Sequence, residues 1–133
     1  ENLSFNYNFS LDNDLTSLNS NTIDTTLSMN NFVTKFNFSE KNDELGSSNT
    51  ISNETEIKLN NSNYIRFKTR RNREINLTEY YNLSYEYKTD CITAALKYDK
   101  IYYKDRDLRP SENLFFTITL IPLTTYEKKL FAR

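Results

Sequence analysis

The stretch Asn2–Leu11, NLSFNYNFSL, decides the fold class of this chain. Every second side chain in it is large and apolar, and each residue between them is Asn or Ser. This period of two is typical of a β-strand with one apolar and one polar face, whereas a helix repeats every 3.6 residues. The sequence therefore begins with an amphipathic strand.

Seven further segments show a similar alternation, and turn-forming residues separate them. We place these strands at about 23–29, 32–38, 51–59, 65–70, 77–87, 91–103 and 113–123. Residues 124–133 form a polar tail that we expect to be irregular. The expected organisation is one set of strands over residues 1–123 and a C-terminal tail over residues 124–133.

The expected connections alternate in length, because short turns lie near residues 30, 61 and 89 and longer polar loops follow residues 11, 39, 70 and 103. Outer-membrane barrels connect their strands in this way. Several of the predicted strands have the ~9–11 residues of a tilted membrane strand. The predicted fold class is all-β: an antiparallel up-and-down meander of about eight long strands, part of a larger transmembrane outer-membrane β-barrel.

The polar side of these strands is strongly charged. It would be too polar for a packed core and suits a hydrated lumen. The charged residues that we expect on this face are Glu54, Glu56, Lys58, Arg66, Lys68, Glu79, Glu86, Lys97 and Asp99.

The composition makes several classes of function improbable. The chain of 133 residues has one Gly, one Cys and no His, so it lacks the usual material for a phosphate-binding loop, a His-containing triad or a zinc cluster. Its net charge of −1 gives no overall attraction to nucleic acid. We therefore expect no enzymatic activity, no cofactor, no metal and no nucleic-acid partner.

The densest charged feature is a basic cluster on the fifth predicted strand and after it. Arg66, Lys68 and Arg70 alternate onto one face, and Arg71 and Arg73 fall in the expected loop. Two interpretations remain open for this cluster. The cations could contact anionic sugar phosphates, or they could pair with carboxylates on adjacent strands, which we favour. The expected carboxylate partners are Glu54, Glu56 and Glu79.

Residues 70–123 resemble the C-terminal end of the lipopolysaccharide-assembly outer-membrane protein family, also called the organic solvent tolerance protein family. The resemblance rests on RRNREINLTEYYNLSYEYKTDCITAALKYDKIYYKDRDLRPSENLFFTITLIPL. In this segment a tyrosine-rich strand, a YEYKTDC turn, a long strand, a DRDL loop and a terminal strand follow one another. The resemblance covers about the last 55 residues and is most specific around Cys91.

This resemblance implies a barrel in the outer membrane of a Gram-negative bacterium that inserts lipopolysaccharide into the outer leaflet. The implied partners are lipopolysaccharide, membrane lipids, a plug lipoprotein in the lumen and a periplasmic lipopolysaccharide bridge reached through an N-terminal domain. It also implies a disulfide from Cys91 to that domain. The family commonly has two adjacent cysteines here, whereas this chain has Cys91 followed by Ile92. Only one such bridge carries over.

The resemblance further implies that the eighth predicted strand closes the barrel against the first strand, which would lie outside this chain. Its residues are Leu114, Phe116, Ile118, Leu120 and Pro122. Pro122 has no N–H to donate, so we hypothesise that it weakens the closing seam. With two open edges, the isolated fragment should aggregate instead of inserting as a stable barrel.

Two alternative functions remain open. The chain could be a complete eight-stranded outer-membrane barrel with an adhesin or structural role, since membrane barrels of bacteria have even strand numbers. It could also be a soluble β-sandwich that binds ligands. The charged inward face and the long strands argue against the sandwich, and solubility without detergent would discriminate between them.

Overall fold

The structure is a computed structural model that describes residues 1–12, 14–15, 17–43, 46–102, 109–121 and 123–132, with Asp43 described by its backbone alone. Nine β-strands make up almost all of this part of the chain. They are β1 (Asn2–Leu11), β2 (Leu18–Met29), β3 (Phe32–Asp43), β4 (Gly46–Lys58), β5 (Asn63–Asn72), β6 (Leu77–Lys88), β7 (Ile92–Ile101), β8 (Ser111–Leu120) and β9 (Thr124–Ala132).

The strands form one sheet in the order β1 to β9, and each neighbouring pair is antiparallel. The all-β, up-and-down arrangement is therefore confirmed, but the structure has nine strands where we expected about eight. The ninth strand, β9, occupies most of the tail that we expected to be irregular. Its charged residues gave it a polar appearance, yet an edge strand tolerates charge while its Thr, Tyr and Phe residues favour extended backbone.

The prediction of a long polar loop after residue 39 is also wrong. The backbone of β3 continues to Asp43 and pairs with β4 from its first residue, Gly46. Gly46 has a φ of +138°, a conformation that side chains with a Cβ rarely adopt. The Asn, Ser and Lys residues here suggested a loop, but backbone pairing with the neighbouring strand holds them extended.

The connections have two sets of lengths, at what we call the upper and lower ends of the sheet. Upper connections span residues 12–17, 44–45, 73–76 and 102–110, and lower ones span residues 30–31, 59–62, 89–91 and 121–123. The expected long loop after Arg70 is a short turn, because β5 extends to Asn72. Only the first and last upper connections are longer than every lower one.

The sheet is open across the described residues. There β1 contacts only β2 and β9 contacts only β8. The accessible surface is 9730 Å², whereas a folded monomer of this mass exposes roughly 7300 Å². Among the described apolar residues, Ala95 alone is buried. Neither face of the sheet therefore encloses a core of its own.

The sheet curves toward its polar face. A hollow of about 240 Å³ on that face is lined by Thr26 of β2 and also by Tyr80 of β6. In a flat sheet these strands would stand about 19 Å apart, at ~4.8 Å per strand. The side chains share one hollow because the sheet bends around it. We call the polar side the concave face and the opposite side the convex face.

Candidate functional site

The concave face carries a set of ion pairs centred on Arg66 of β5. Its Nε donates to Glu56 Oε2 at 2.5 Å and its Nη1 to Glu86 Oε2 at 3.0 Å. Glu56 lies directly opposite Arg66 on β4, and Glu86 lies two residues beyond the opposite position, Ser84, on β6. One guanidinium thus links three strands. The sequence placed Glu86 on the correct face but did not identify it as a partner.

Two more pairs extend this ladder along β5. Lys68 Nζ lies 3.0 Å from Glu54 Oε1, and Arg70 Nε lies 2.9 Å from Glu79 Oε2. A β-bulge between Arg70 and Arg71 shifts the register with β6, so that Tyr80 pairs with Arg70 and Glu79 lies beside it. The pairing that we favoured for these cations is present.

Every cation of the ladder has a carboxylate partner. Its three cations are Arg66, Lys68 and Arg70, and its four carboxylates are Glu54, Glu56, Glu79 and Glu86. Each side chain is between 20% and 47% exposed, so solvent screens the pairs and each contributes only about 0–1 kcal/mol. The ladder therefore forms a hydrated, nearly neutral surface and not a strong anion site.

Other carboxylates of the concave face bind amide donors. Asn37 Nδ2 donates to Asp24 Oδ1 at 2.7 Å, and Asn82 Nδ2 donates to Asp99 Oδ1 across β6 and β7. Beside Asp99 lies a hollow of about 850 Å³ on the concave face. Its lining includes charged side chains and also the apolar residues Leu77 and Ile101. The hollow can hold water or a polar ligand.

The convex face carries the apolar side chains, and the pairing between strands defines a common level across it. One continuous row joins Leu3, Leu27, Thr34, Thr55, Phe67, Leu83, Tyr98 and Leu114, from β1 to β8. We call it the Leu3 row. On β1 the apolar residues run upward from this row to Leu11, whereas on β8 they run downward from it to Leu120. The apolar band therefore crosses the strands obliquely.

The slope of this band follows from the register. Its midpoint on β1 is Tyr7, four residues above the Leu3 row, and its midpoint on β8 lies near Thr117, three residues below it. The band therefore shifts by about seven residues of ~3.3 Å along the strands over seven strand spacings of ~4.8 Å. This shift inclines the band by about 35° from the perpendicular to the strands. Strands of transmembrane barrels are tilted by ~35–45°.

The upper limit of the band has the same slope. Above the Leu3 row, the first charged residue on the convex face is Glu40 on β3, Arg71 on β5 and Lys100 on β7. These lie six, four and two residues above the row, respectively. The upper limit of the band thus descends by about two residues for every two strands. This slope is again an inclination of about 35° from the perpendicular to the strands. The band ends at β8, because the convex face of β9 carries Lys128.

Most of the band is exposed to the surroundings. Leu3 is 71% exposed, Phe5 63% and Leu83 47%. Apolar patches of this extent on a protein surface indicate contact with lipid or with another protein.

The polar groups inside the band bond to one another. Thr34 Oγ1 and Thr55 Oγ1 lie 2.9 Å apart, Asn53 Nδ2 donates to Thr34 Oγ1 at 2.9 Å, and Thr55 Oγ1 donates to Asn53 Oδ1 at 3.1 Å. Asn53 Nδ2 also reaches the carbonyl of Lys35 at 3.2 Å. Internal partners are what an apolar medium requires of polar groups, since it offers none of its own.

Cys91 and the expected closing strand lie at the lower end of the sheet. Cys91 is exposed in the turn between β6 and β7, with a free thiol. Leu114, Phe116, Ile118 and Leu120 share the convex face of β8, but β8 is not the last strand, because β9 pairs along it. The edge position that we expected for β8 therefore belongs to β9. Pro122 lies outside the described residues.

Comparison with protein-family models, curated proteins and solved structures gives no match. Among the residues that the structure describes, no helix is long and apolar enough to cross a membrane. The same residues contain no group of three or more His, Cys, Asp or Glu side chains arranged to hold a metal ion.

Proposed function

We propose that this chain forms part of the wall of a transmembrane β-barrel in the outer membrane of a Gram-negative bacterium. The observation that carries the proposal is the oblique apolar band on the convex face, opposite a charged concave face. In a barrel the convex face contacts lipid and the concave face lines a hydrated lumen. A band that is level in the membrane deviates from the perpendicular to the strands by the tilt angle of the strands.

The height of the band also fits this assignment. On β1 it extends from Leu3 to Leu11, about 27 Å along the strand at ~3.4 Å per residue. At a tilt of about 35° this corresponds to roughly 22 Å along the membrane normal, close to the ~25 Å apolar band of outer-membrane barrels.

The finer proposal is that the barrel is a non-enzymatic translocon that inserts lipopolysaccharide into the outer leaflet. It is supported by the resemblance of residues 70–123 to the lipopolysaccharide-assembly family and by a concave face suited to polar sugars. In this proposal Glu54, Glu56, Arg66, Lys68 and Arg70 line the lumen beside the passing headgroup. Their mutual pairing argues for a hydrated lining that a polar headgroup slides past without tight capture.

The remaining elements of the proposal come from the same resemblance. Cys91 forms a disulfide with an N-terminal domain, that domain receives lipopolysaccharide from the periplasmic bridge, and a plug lipoprotein occupies the lumen. The lower end of the sheet, where Cys91 lies, would then face the periplasm.

The two alternatives fit the geometry less well. Both β1 and β9 run from the lower to the upper end, so direct closure between them would need a parallel pair. A barrel antiparallel throughout needs an odd number of further strands between these edges, which argues against a small barrel built from these strands alone. A sandwich would place a second sheet on the apolar face, but the sheet curves away from that side.

Labelling of neighbouring residues on one strand tests the membrane assignment. In a Cys91→Ser background, single cysteines replace Leu83, which is convex, or Ser84, which is concave, and carry an environment-sensitive fluorophore. In outer membranes from cells that make the protein, we expect lipid-attached quenchers to reach position 83 and aqueous quenchers to reach position 84. Equal access of aqueous quenchers to both positions would show that the convex face does not contact lipid.

The transport proposal has a separate test in the same cells. Depletion of the protein should lower the amount of lipopolysaccharide at the cell surface, measured by labelling of intact cells, while its total synthesis continues. Unchanged surface lipopolysaccharide during depletion would contradict transport and leave the barrel assignment standing.

A further inference from the structure

Three arginines at the upper end of β5 differ in their surroundings. Arg70 lies on the concave face, where its guanidinium pairs with Glu79 at 2.9 Å. Arg71 lies on the convex face, opposite Ile51 of β4. Arg73 begins the turn after β5, and its guanidinium carbon lies 5.9 Å from the centre of the Phe38 ring, which is also convex. The chain thus directs one arginine inward and two outward.

The two outward arginines have no carboxylate partner within the described part of the chain. Arg71 Nη2 donates to the side-chain oxygen of Asn76, and Arg73 contacts an aromatic ring. Glu40 and Glu74 are the nearby carboxylates, but Glu40 accepts from Asn49 and Glu74 accepts from Ser47. Both guanidinium groups therefore retain donors for another anion.

Their position is set by the apolar band. Arg71 is the first charged residue above the band on β5, four residues beyond Phe67. Phe38, beneath Arg73, belongs to the uppermost apolar residues of β3. In a bilayer, this boundary is where lipid phosphates meet the protein, and arginine binds phosphate with a planar fork of N–H donors. Aromatic rings at the same level suit the interface.

A hollow beside Arg73 offers room for such a group. It has a volume of about 280 Å³, and Ser47, Ser48 and Asn49 of β4 line it together with Arg73. The hydroxyl of Ser47 already donates to Glu74 and one N–H of Asn49 to Glu40, so the further donors for phosphate oxygens are the Ser48 hydroxyl and the second N–H of Asn49. Glu40 and Glu74 also line the hollow, so the hollow favours an anion only next to Arg73 and away from these two carboxylates.

We propose that Arg71 and Arg73 bind the phosphate of a membrane lipid headgroup at the upper boundary of the convex face. This inference rests on the proposed membrane location of the sheet. The lipid would be a resident of the bilayer around the barrel, with its acyl chains along the apolar band and its phosphate between the two guanidinium groups.

Two lipids that differ only in phosphate provide the test. Protein extracted from outer membranes and stripped of lipid is titrated with phosphatidic acid or with diacylglycerol of the same acyl chains, and bound lipid is counted by native mass spectrometry. We expect the unaltered protein to prefer phosphatidic acid by at least about fivefold, since charge-assisted bonds are the strong ones. Substitution of both outward arginines, R71Q/R73Q, should remove this preference.

The matched control is R70Q, which removes the same charge one residue away on the concave face and should keep the preference. Retention of the preference in R71Q/R73Q, or its equal loss in R70Q, would overturn the inference. Inorganic phosphate that displaces phosphatidic acid at equal concentration would show a site for free phosphate and overturn the lipid assignment.

The labelling of positions 83 and 84 separates this inference from the proposed function. Lipid contact at position 83 together with an unchanged preference in R71Q/R73Q rejects the arginine site alone. Aqueous access at both positions rejects the membrane location and the lipid site together.

Discussion

At the residue scale, Thr34, Asn53 and Thr55 form a small polar cluster inside the apolar band of the convex face. Thr34 is 7% exposed, and its hydroxyl bonds to both Thr55 and Asn53. In water such groups could form hydrogen bonds with the solvent instead of with one another. Within an apolar band, each group that loses its partner remains unsatisfied, which costs about 1–3 kcal/mol for a buried donor or acceptor.

The hydrogen bonds of Thr55 predict the effect of Thr55→Val. The substitution keeps the shape of the side chain but removes the hydroxyl that donates to Asn53 Oδ1. We expect a loss of about 1–3 kcal/mol in the free energy of unfolding, measured by denaturant titration in lipid. Thr55→Ser retains the hydroxyl and should cost clearly less. Equal losses for the two variants would mean that the hydrogen bond is unimportant.

A second residue-scale prediction concerns Arg66, which holds two carboxylates. Arg66→Gln removes the guanidinium that Glu56 and Glu86 share. We expect a loss of about 1 kcal/mol in the free energy of unfolding, because the pairs are partly exposed. Neutralising both partners in R66Q/E56Q/E86Q should restore most of it. A thermodynamic cycle over these variants measures the coupling, and strict additivity would show that the pairs contribute nothing.

At the element scale, the hairpin of β3 and β4 and the two edge strands depend on backbone geometry more than on side-chain polarity. Residues 40–43 and 46–49 are polar, yet they pair along their length. The edges differ from one another: β1 has no charged residue, whereas β9 contains Glu127, Lys128 and Lys129. Charges protect edge strands from unwanted pairing, so β1 is the edge more prone to accept another strand.

The hairpin supports a prediction for Gly46→Ala. The added Cβ would meet no atom within 4 Å, so any cost comes from the φ of +138° and not from a clash. We expect a loss of about 1–2 kcal/mol, in the range of other strained backbone conformations, with faster hydrogen exchange at the upper end of β3 and β4. Ser48→Ala in the same strand serves as the control. Unchanged exchange in Gly46→Ala would contradict the strain.

At the scale of the whole molecule, the oblique band defines how the sheet would lie in a bilayer. In a bilayer, residues of one register row would lie at different depths, because the apolar band crosses the rows obliquely. Leu3 marks the lower limit of the band on β1, whereas Leu114, in the same row, marks its upper limit on β8. Strands parallel to the membrane normal would place both residues at the same depth.

Arginine substitutions at four convex positions test this arrangement. Arginine costs about 2–4 kcal/mol at the midplane of a lipid-facing barrel surface and about 0–1 kcal/mol near the interfaces. We therefore expect large losses of stability in lipid for Tyr7→Arg and Ile118→Arg, near the middle of the band. Losses should be small for Leu3→Arg and Leu114→Arg at its limits.

Concave positions control for the effect of arginine itself, and Asn6→Arg, next to Tyr7, should be tolerated. Equal losses at Leu3 and Tyr7 would contradict the oblique band. If instead all four convex substitutions were harmless in lipid, the convex face would not be the lipid-facing one.

The sequence by itself determined the strands, their two faces and the residues that share each face, because alternation with a period of two is a local property of the chain. It placed Glu54, Glu56, Arg66, Lys68 and Arg70 together on one face for this reason. It misjudged β9 and the β3–β4 connection, because polar residues in a paired strand and in a loop look alike. Backbone hydrogen bonding, which composition does not reveal, separates the two cases.

Only the tertiary structure decided the relations between strands. The double pairing of Arg66 and the bulge that brings Glu79 to Arg70 depend on register, and the outward position of Arg71 depends on the extension of β5 to Asn72. The slope of the apolar band depends on it as well, since no single strand contains the information on how far its neighbour is displaced. That displacement is fixed by the hydrogen-bond register between successive strands. It converts the amphipathic strands β1 to β8 and the edge strand β9 into a two-faced wall with an oblique apolar band.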